Sequence, residues 1–442
     1  MSNGVIAVRV SRHLVIGFVG TSALLLLLAL SSAWAQSAPT ASNDEGASAD
    51  FALPAVTGQV RLLGNDFHPS TRGPLAAANA LQPGIATQTT ASASVEIELR
   101  TSGKGWNITG TLQQQALPGG SHPNRAWFNE AAVTRDVAGW SLSAGKKIVA
   151  WDVAYGFRPN DVVQQETRRL LVSTLAEGRP VIMAEHFDAD TAWSLVFANA
   201  GRARSELGVR EPAFAARVYQ RQGSADWHGF VRYGAHTGAS VGGSLAWVAT
   251  DALEVHASAR YVSRADSKAF DTRSPLIAAV SPWQTSTVHR ATQAIVGGTW
   301  THESQLSLMM EAWWDGTALS PRQWDAWRAR NVALNALPRN AVPAAAVAGN
   351  LAWQSEAFSA ASNLHRSNIY LRASWEHEGW TPSVDLLYHP ADGGRMITAA
   401  LLWKGDRVQV QGGVRVNAGP AASVLRQLPT QRQTFLVGTW AF

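Results

Sequence analysis

The chain has 442 residues, a formal net charge of +5 and no cysteine. Disulfides and thiolate metal sites are thereby excluded, and so mild a charge on so long a chain gives no argument for nucleic acid. Nineteen tryptophans are a high count; indole pairs an apolar ring with one wet N–H and gathers at membrane–water interfaces, although carbohydrate-binding surfaces use it too.

The first segment reads as an export signal. Arg9 and Arg12 make a positive n-region, Leu14 to Leu30 an apolar h-region, and Ala33-Trp34-Ala35 a small-x-small cleavage site. An uncleaved anchor is the competing reading, and Gly17, Gly20 and Ser22 weaken it. The expected organisation is a signal peptide over 1–35, a flexible leader over 36–56 and one continuous unit over 57–442. The leader is small and acidic-leaning (Asn43, Asp44, Glu45, Asp50). It is too short for a folded plug domain, which argues against an energised siderophore-type receptor. Beyond it, no break in composition marks a second domain, and no apolar run nears the ~20 residues of a spanning helix.

From Thr57 the chain becomes a series of segments that alternate apolar and polar residues. Val95, Ile97 and Leu99 alternate with Glu96, Glu98 and Arg100. Val255, Ala257, Ala259 and Tyr261 alternate with His256, Ser258 and Arg260, and Ile369, Leu371 and Ala373 with Tyr370, Arg372 and Ser374. Period two is the signature of strands with two unlike faces. Eighteen candidates lie near 57–67, 91–101, 105–116, 125–136, 140–150, 179–188, 191–200, 212–222, 226–236, 240–249, 252–263, 290–301, 305–315, 365–377, 380–389, 395–404, 406–416 and 431–442. Sixteen is the competing count.

A soluble sandwich and a membrane barrel share this periodicity, and connection lengths separate them. Even-to-odd connections are short turns such as Ala189-Asp190, Thr250-Asp251 and Glu378-Gly379. Several odd-to-even ones are long: 68–90, 151–178, 264–289 and 316–364. The expected fold is therefore all-β, a transmembrane antiparallel up-and-down β-barrel with both strand ends on the short-turn side.

The last strand runs Gln431 to Phe442, with Trp440 two residues before the terminal phenylalanine. This ending, the alternation of turns and loops, and arginines at lumen parity together resemble monomeric, substrate-selective outer-membrane channels, the alginate-export barrels and basic-laddered porins being nearest. The resemblance implies a bacterial outer-membrane location, lipid as surroundings, and recognition by the barrel-assembly machinery through Trp440 and Phe442. It also implies a small-molecule solute, a monomer, no cofactor and no metal. A barrel plugged by its loops, acting as a receptor or assembly component, is the alternative.

Two features could carry selectivity. The connection after the fifth strand holds Trp151, Asp152, Tyr155, Arg158, Asp161, Glu166, Arg168 and Arg169. In many porins the third loop folds inward, so the resemblance suggests a constriction here; an outward loop capped by its own aromatics is the other reading. The second feature is a basic ladder at lumen parity: Arg100, Lys147, Arg217, Arg221, Arg232, Arg260, Arg372, Arg407 and Arg415. Such a ladder attracts anions without trapping them. Equally, these residues could pair with Glu96, Glu98, Glu254, Glu311 and Asp385 and brace the wall. In the connection 316–364, Ser320-Pro321-Arg322-Gln323 predicts a capped helix with Trp324, Trp327 and Val332 on one face. It could cover the pore mouth as a lid or pack on neighbouring loops. No Gly-x-Ser-x-Gly, His-Glu-x-x-His or Walker-type motif points to an enzyme.

Overall fold

The computed structural model describes residues 55–118, 120, 122–165, 176–202, 210–338 and 340–442. The expected export signal and residues 36–54 of the expected leader lie outside them. All eighteen expected strands are present: β1 (Val56–Pro69), β2 (Ala91–Gly103), β3 (Trp106–Ala116), β4 (Asn124–Val137), β5 (Trp140–Lys147), β6 (Arg179–Phe187), β7 (Thr191–Ala198), β8 (Ala213–Gln222) and β9 (Ala225–Gly234) come first. β10 (Gly238–Thr250), β11 (Leu253–Phe270), β12 (Trp283–Thr301), β13 (Leu306–Asp315), β14 (Ser367–Trp375), β15 (Trp380–His389), β16 (Gly394–Lys404), β17 (Val408–Ala418) and β18 (Thr430–Ala441) complete them.

Each strand pairs antiparallel with its sequence neighbours, and β1 pairs with both β2 and β18, so the sheet closes. Closure gives every strand two partners and leaves no row of unpaired backbone groups. The seam is long, running from Gln59 opposite Ala441 to Pro69 opposite Thr430. Phe442 extends it by exchanging backbone hydrogen bonds with Gly58, both 3.0 Å.

Because side chains alternate, one register carried around the ring divides all residues into two faces. Across the pairs, Arg61, Glu96, Gln113, Ser143, Met183, Ser194, Arg217, Phe230, Gly242, Arg260, Glu311, Arg372, Asp385, Thr398, Arg415 and Phe435 share one face. The opposite face carries exposed Leu99, Leu112, Ile182, Leu195, Phe214, Val231, Val296, Met310, Val384 and Leu436. At its short-turn end this apolar face bears Trp106, Trp140, Trp193, Trp227, Trp247, Trp300, Trp375, Trp380, Trp403 and Trp440, a belt that takes up most of the strand tryptophans.

At the other end the connections differ from expectation. β11 and β12 pair on to Phe270 opposite Trp283, so most of 264–289 is hairpin and the true loop is 271–282. Residues such as Thr285, Ser286 and Thr287 are polar on both faces, which hid the extension from a periodicity argument. Two connections on this side are short, 235–237 and 390–393, so long loops do not alternate strictly with short turns.

Among the described residues, three α-helices stand here: α1 (Pro74–Leu81), α2 (Pro321–Ala336) and α3 (Ala344–Trp353). α2 has the expected capping box, Ser320 and Gln323 bonding each other's backbone N–H. Its buried stripe is Trp324, Trp327, Asn331 and Leu334, and Val332 is 69 % exposed, which corrects the expected face. At ~100° per residue, position 332 sits roughly 80° round from Trp324 on the side away from Trp327. α2 packs on neighbouring loops through two cores. One joins Trp324 and Trp327 to Trp283, Leu319, Val424 and Leu425; the other joins Leu334 to Ala78, Val347 and Leu351.

Substituting Gly58 tests the seam. A Cβ there would lie 2.5 Å from the Glu98 carbonyl oxygen and 2.8 Å from the Phe442 ring. Gly58→Val should destabilise the barrel by about 1–3 kcal/mol. On semi-native gels its folded band should convert to the unfolded one at a lower temperature than that of the parent; an unchanged temperature would contradict this closure.

Candidate functional site

The polar face is the inner one, and the segment after β5 shows why. The Trp151 ring stacks on Phe230 of β9 at 6.1 Å, and the Tyr155 ring on Tyr370 of β14 at 5.9 Å. β9 and β14 are five strands apart, roughly 24 Å along the sheet. Four residues of chain reach at most about 14 Å. Only on the concave side, where side chains converge, can so short a segment touch both. Residues 151–165 therefore lie inside the barrel.

Two kinds of contact hold them there. The first is apolar. Val149, Trp151, Val162 and Val163 pack on Val181, Met183, Val196, Ala198, Ala215 and Phe230 of the inner wall from β6 to β9. Further round, Phe157 and Ala154 pack on Ile295 and Trp313. The inner wall of β6 to β8 is thus apolar where the loop covers it. Runs such as Val181-Ile182-Met183-Ala184 and Leu195-Val196-Phe197-Ala198 are apolar on both faces, the mark of a strand buried on both sides. That signal was legible in the sequence and would have located the seat of the loop.

The second kind is polar. Glu311 of β13, 0 % exposed, accepts the Tyr155 amide at 2.7 Å and the Gly156 amide at 2.6 Å, one on each carboxylate oxygen. His256 of β11 reaches the same carboxylate through Nε2 at 2.9 Å, and its Nδ1 faces Glu254 at 3.1 Å. Asn160, also fully buried, donates through Nδ2 to the Gly243 carbonyl (2.8 Å) and the Ser244 hydroxyl (3.0 Å). A Cβ at Gly242 would sit 2.1 Å from Asn160 Oδ1, so glycine is what lets the loop approach this wall. Arg260 donates to the Pro159 carbonyl at 3.0 Å. Asp152 is gripped by the Ser258 hydroxyl at 2.7 Å and by the Asn160 and Ala154 amides. Burial pushes its carboxyl above the usual carboxylate range, against the pull of those hydrogen bonds.

Of the expected constriction residues, Tyr155 is the exposed aromatic, and its hydroxyl receives Arg372 at 3.2 Å. Arg158 folds back on the Ala154 carbonyl at 2.8 Å. Trp151 and Asp161 are buried between loop and wall. Glu166, Arg168 and Arg169 lie outside the described residues.

The basic ladder sorts into two groups. Arg100, Lys147, Arg217, Arg221, Arg232, Arg260, Arg372 and Arg415 occupy inner-face strand positions; Arg407 lies in the turn before β17. Among the described residues, Arg100 meets Glu98, Arg232 meets Glu211 at 2.7 Å and Arg372 meets Asp385 at 3.3 Å. Others meet neutral oxygens: Lys147 with Ser143, Arg217 with Ser194, Arg260 with Ser240 and Pro159, and Arg415 with Thr398. Arg217 also lies 5.4 Å over the Trp151 ring. Arg61, absent from the expected ladder, pairs with buried Glu96 at 3.0 Å. Trp440 points outward on β18, its ring 5.0 Å from that of Phe442.

No protein-family model matches the chain, and no curated protein sequence does. Among solved structures, a variant of Rh. blastica porin aligns with a TM-score of 0.43 and 11% identity over 88% of this chain and 100% of that one. A triple mutant of Rhodopseudomonas blastica porin gives 0.42, 11%, 88% and 100%. A third, described as "Asymmetric conductivity of engineered proteins", gives 0.41, 12%, 88% and 99%. Likeness at this level adds nothing to what the strand register establishes.

Glu311 is the loop's principal polar anchor. Glu311→Ala would strip the acceptor from two amides and from His256, costing the seated loop roughly 3 kcal/mol. The chain lacks cysteine, so a nitroxide at Tyr155→Cys would report on this site alone. Its spectrum should be immobilised in the parent and mobile with Glu311→Ala; immobilisation in both would remove Glu311 as the anchor.

Proposed function

We propose that this protein is a channel of the bacterial outer membrane, through which small hydrophilic solutes diffuse past the 151–165 segment. The observation that carries the proposal is a polar loop pinned against the inner wall of a closed barrel whose outer wall is apolar. An outer face of exposed leucine, valine and phenylalanine with a tryptophan belt at one rim suits lipid, with the belt at the headgroup level. The export signal at 1–35 and the Trp440-Phe442 ending support the same location, the latter as the feature read by the assembly machinery. A single chain closes the barrel, so no second chain is needed to complete the wall.

The work of such a channel is positioning and electrostatics, with no covalent step. Selectivity falls to the charges that face the passage. Arg100, Arg232 and Arg372 are offset by their acids and serve the wall. Lys147 and Arg217 are held by hydroxyl oxygens, and their positive field, tempered at Arg217 by nearby Glu185, favours anions modestly. A second reading, a barrel stopped by its own loops, draws on the packed helices α1 to α3 at the long-loop end.

Reversal potentials in planar bilayers under a salt gradient test the proposal. The expected result is a small shift toward the anion equilibrium potential, reduced by Arg217→Ser. Clear cation selectivity would overturn the anion preference, and silence in bilayers of several lipid compositions would favour the stopped barrel.

A further inference from the structure

At the long-loop end, beneath the helices, three ligand-type side chains from different segments meet. His365 lies two residues before β14, in the connection that leads into it. His389 is the last residue of β15, and Asp392 lies in the short connection to β16. Their ligand atoms all lie within 4.8 Å of one another. His365 and His389 are 2 % and 1 % exposed, with ring centroids 4.8 Å apart and planes at 66°. Trp324 of α2 covers His365 at 5.6 Å between centroids and is fixed by its indole N–H on the Leu364 carbonyl at 2.8 Å.

The carboxylate is already aimed. Asp392 Oδ2 accepts the Val424 amide at 2.7 Å and faces His365 Nε2 at 2.8 Å, and Oδ1 accepts the Gly394 amide at 2.9 Å. These two amides come from the 419–429 connection and from β16, so the side chain is gripped from both sides.

We propose that His365, His389 and Asp392 bind one zinc ion, which staples the loop before β14 to the β15–β16 turn and, through Asp392, to the connection before β18. Two imidazoles and one carboxylate form a borderline nitrogen–oxygen set that suits zinc, whereas calcium and magnesium require more oxygen ligands. A fourth, open position falls to water. Tetrahedral zinc at ~2.0–2.2 Å from each donor sets them about 3.3 Å apart, so closing on the ion takes ring movements of about an ångström. His365 Nε2 would turn its lone pair to the metal and give up its bond to Asp392. The Val424 and Gly394 amides remain on the carboxylate, in the outer-shell role that orients a ligand.

The site stands on the loops and is independent of whether the barrel conducts. Zinc chloride titrated calorimetrically into the metal-stripped, detergent-folded barrel at neutral pH should show one ion per chain. His389→Ala and the more conservative His389→Gln should each weaken binding by at least about tenfold, and His365→Ala likewise. His377→Ala, an exposed histidine at the short-turn end, should leave it unchanged. Zinc should also raise the temperature at which the folded band is lost, in the parent and not in the His389 variants. No saturable binding, or equal binding by the parent and both His389 variants, would overturn the proposal and mark any uptake as adventitious.

Discussion

A strand that turns an apolar face outward has nowhere to send its backbone N–H and C=O groups except to a neighbouring strand. Eighteen such strands satisfy one another only if the first meets the last, and the β1–β18 seam is that meeting. The rest follows from the seam's register. Once Gln59 faces Ala441, parity assigns every side chain on the ring to the inside or the outside. Most strand leucines, valines and tryptophans go out and most strand arginines and glutamates go in, while Val181, Val196 and Trp313 face inward to seat the loop.

The inward loop is the second consequence. A wall that curves around a lumen brings distant strands close together, and 151–165 exploits this by touching strands from β6 to β14. Its seat combines an apolar patch over β6 to β9 with Glu311, whose two oxygens take two consecutive amides. A buried carboxylate with that many donors is expensive to disturb, so the loop is held as part of the wall. At the far end a different logic applies. The helices and extended hairpin outside the belt pack as a soluble protein would, around Trp324, Trp327 and Leu334.

What could be read in advance divides along the same line. Within the apolar outer band, period two and turn chemistry mark every strand, because lipid on one side and a polar lumen on the other leave a clear imprint on residues such as Val255 to Tyr261. Beyond that band both faces of a strand meet protein or water, and the imprint fades, as in the extension of β11 and β12 past Val262. α1 and α3 carry only a local signal, the helix-forming runs Pro74-Leu-Ala-Ala-Ala and Ala344-Ala-Ala-Val beside a proline, which is independent of the period-two pattern that marks the strands. The capping box of α2 was legible because its signal is local. The pairing of Arg61 with Glu96 or Arg372 with Asp385 was not, since periodicity fixes a face and leaves the cross-strand neighbour open.

The central claim is that the loop rests on the inner wall while a passage remains beside it. Asn160→Cys with Ser244→Cys would place two thiols where Asn160 Nδ2 now lies 3.0 Å from the Ser244 hydroxyl. Single-channel recording of this pair, before and after reduction of the disulfide, tests the claim most directly. The account predicts discrete conductance steps in the oxidised form that change little on reduction, because the bond only fastens a loop already in place. Steps that vanish on oxidation and return on reduction, or failure of the disulfide to form in the folded barrel, would contradict it.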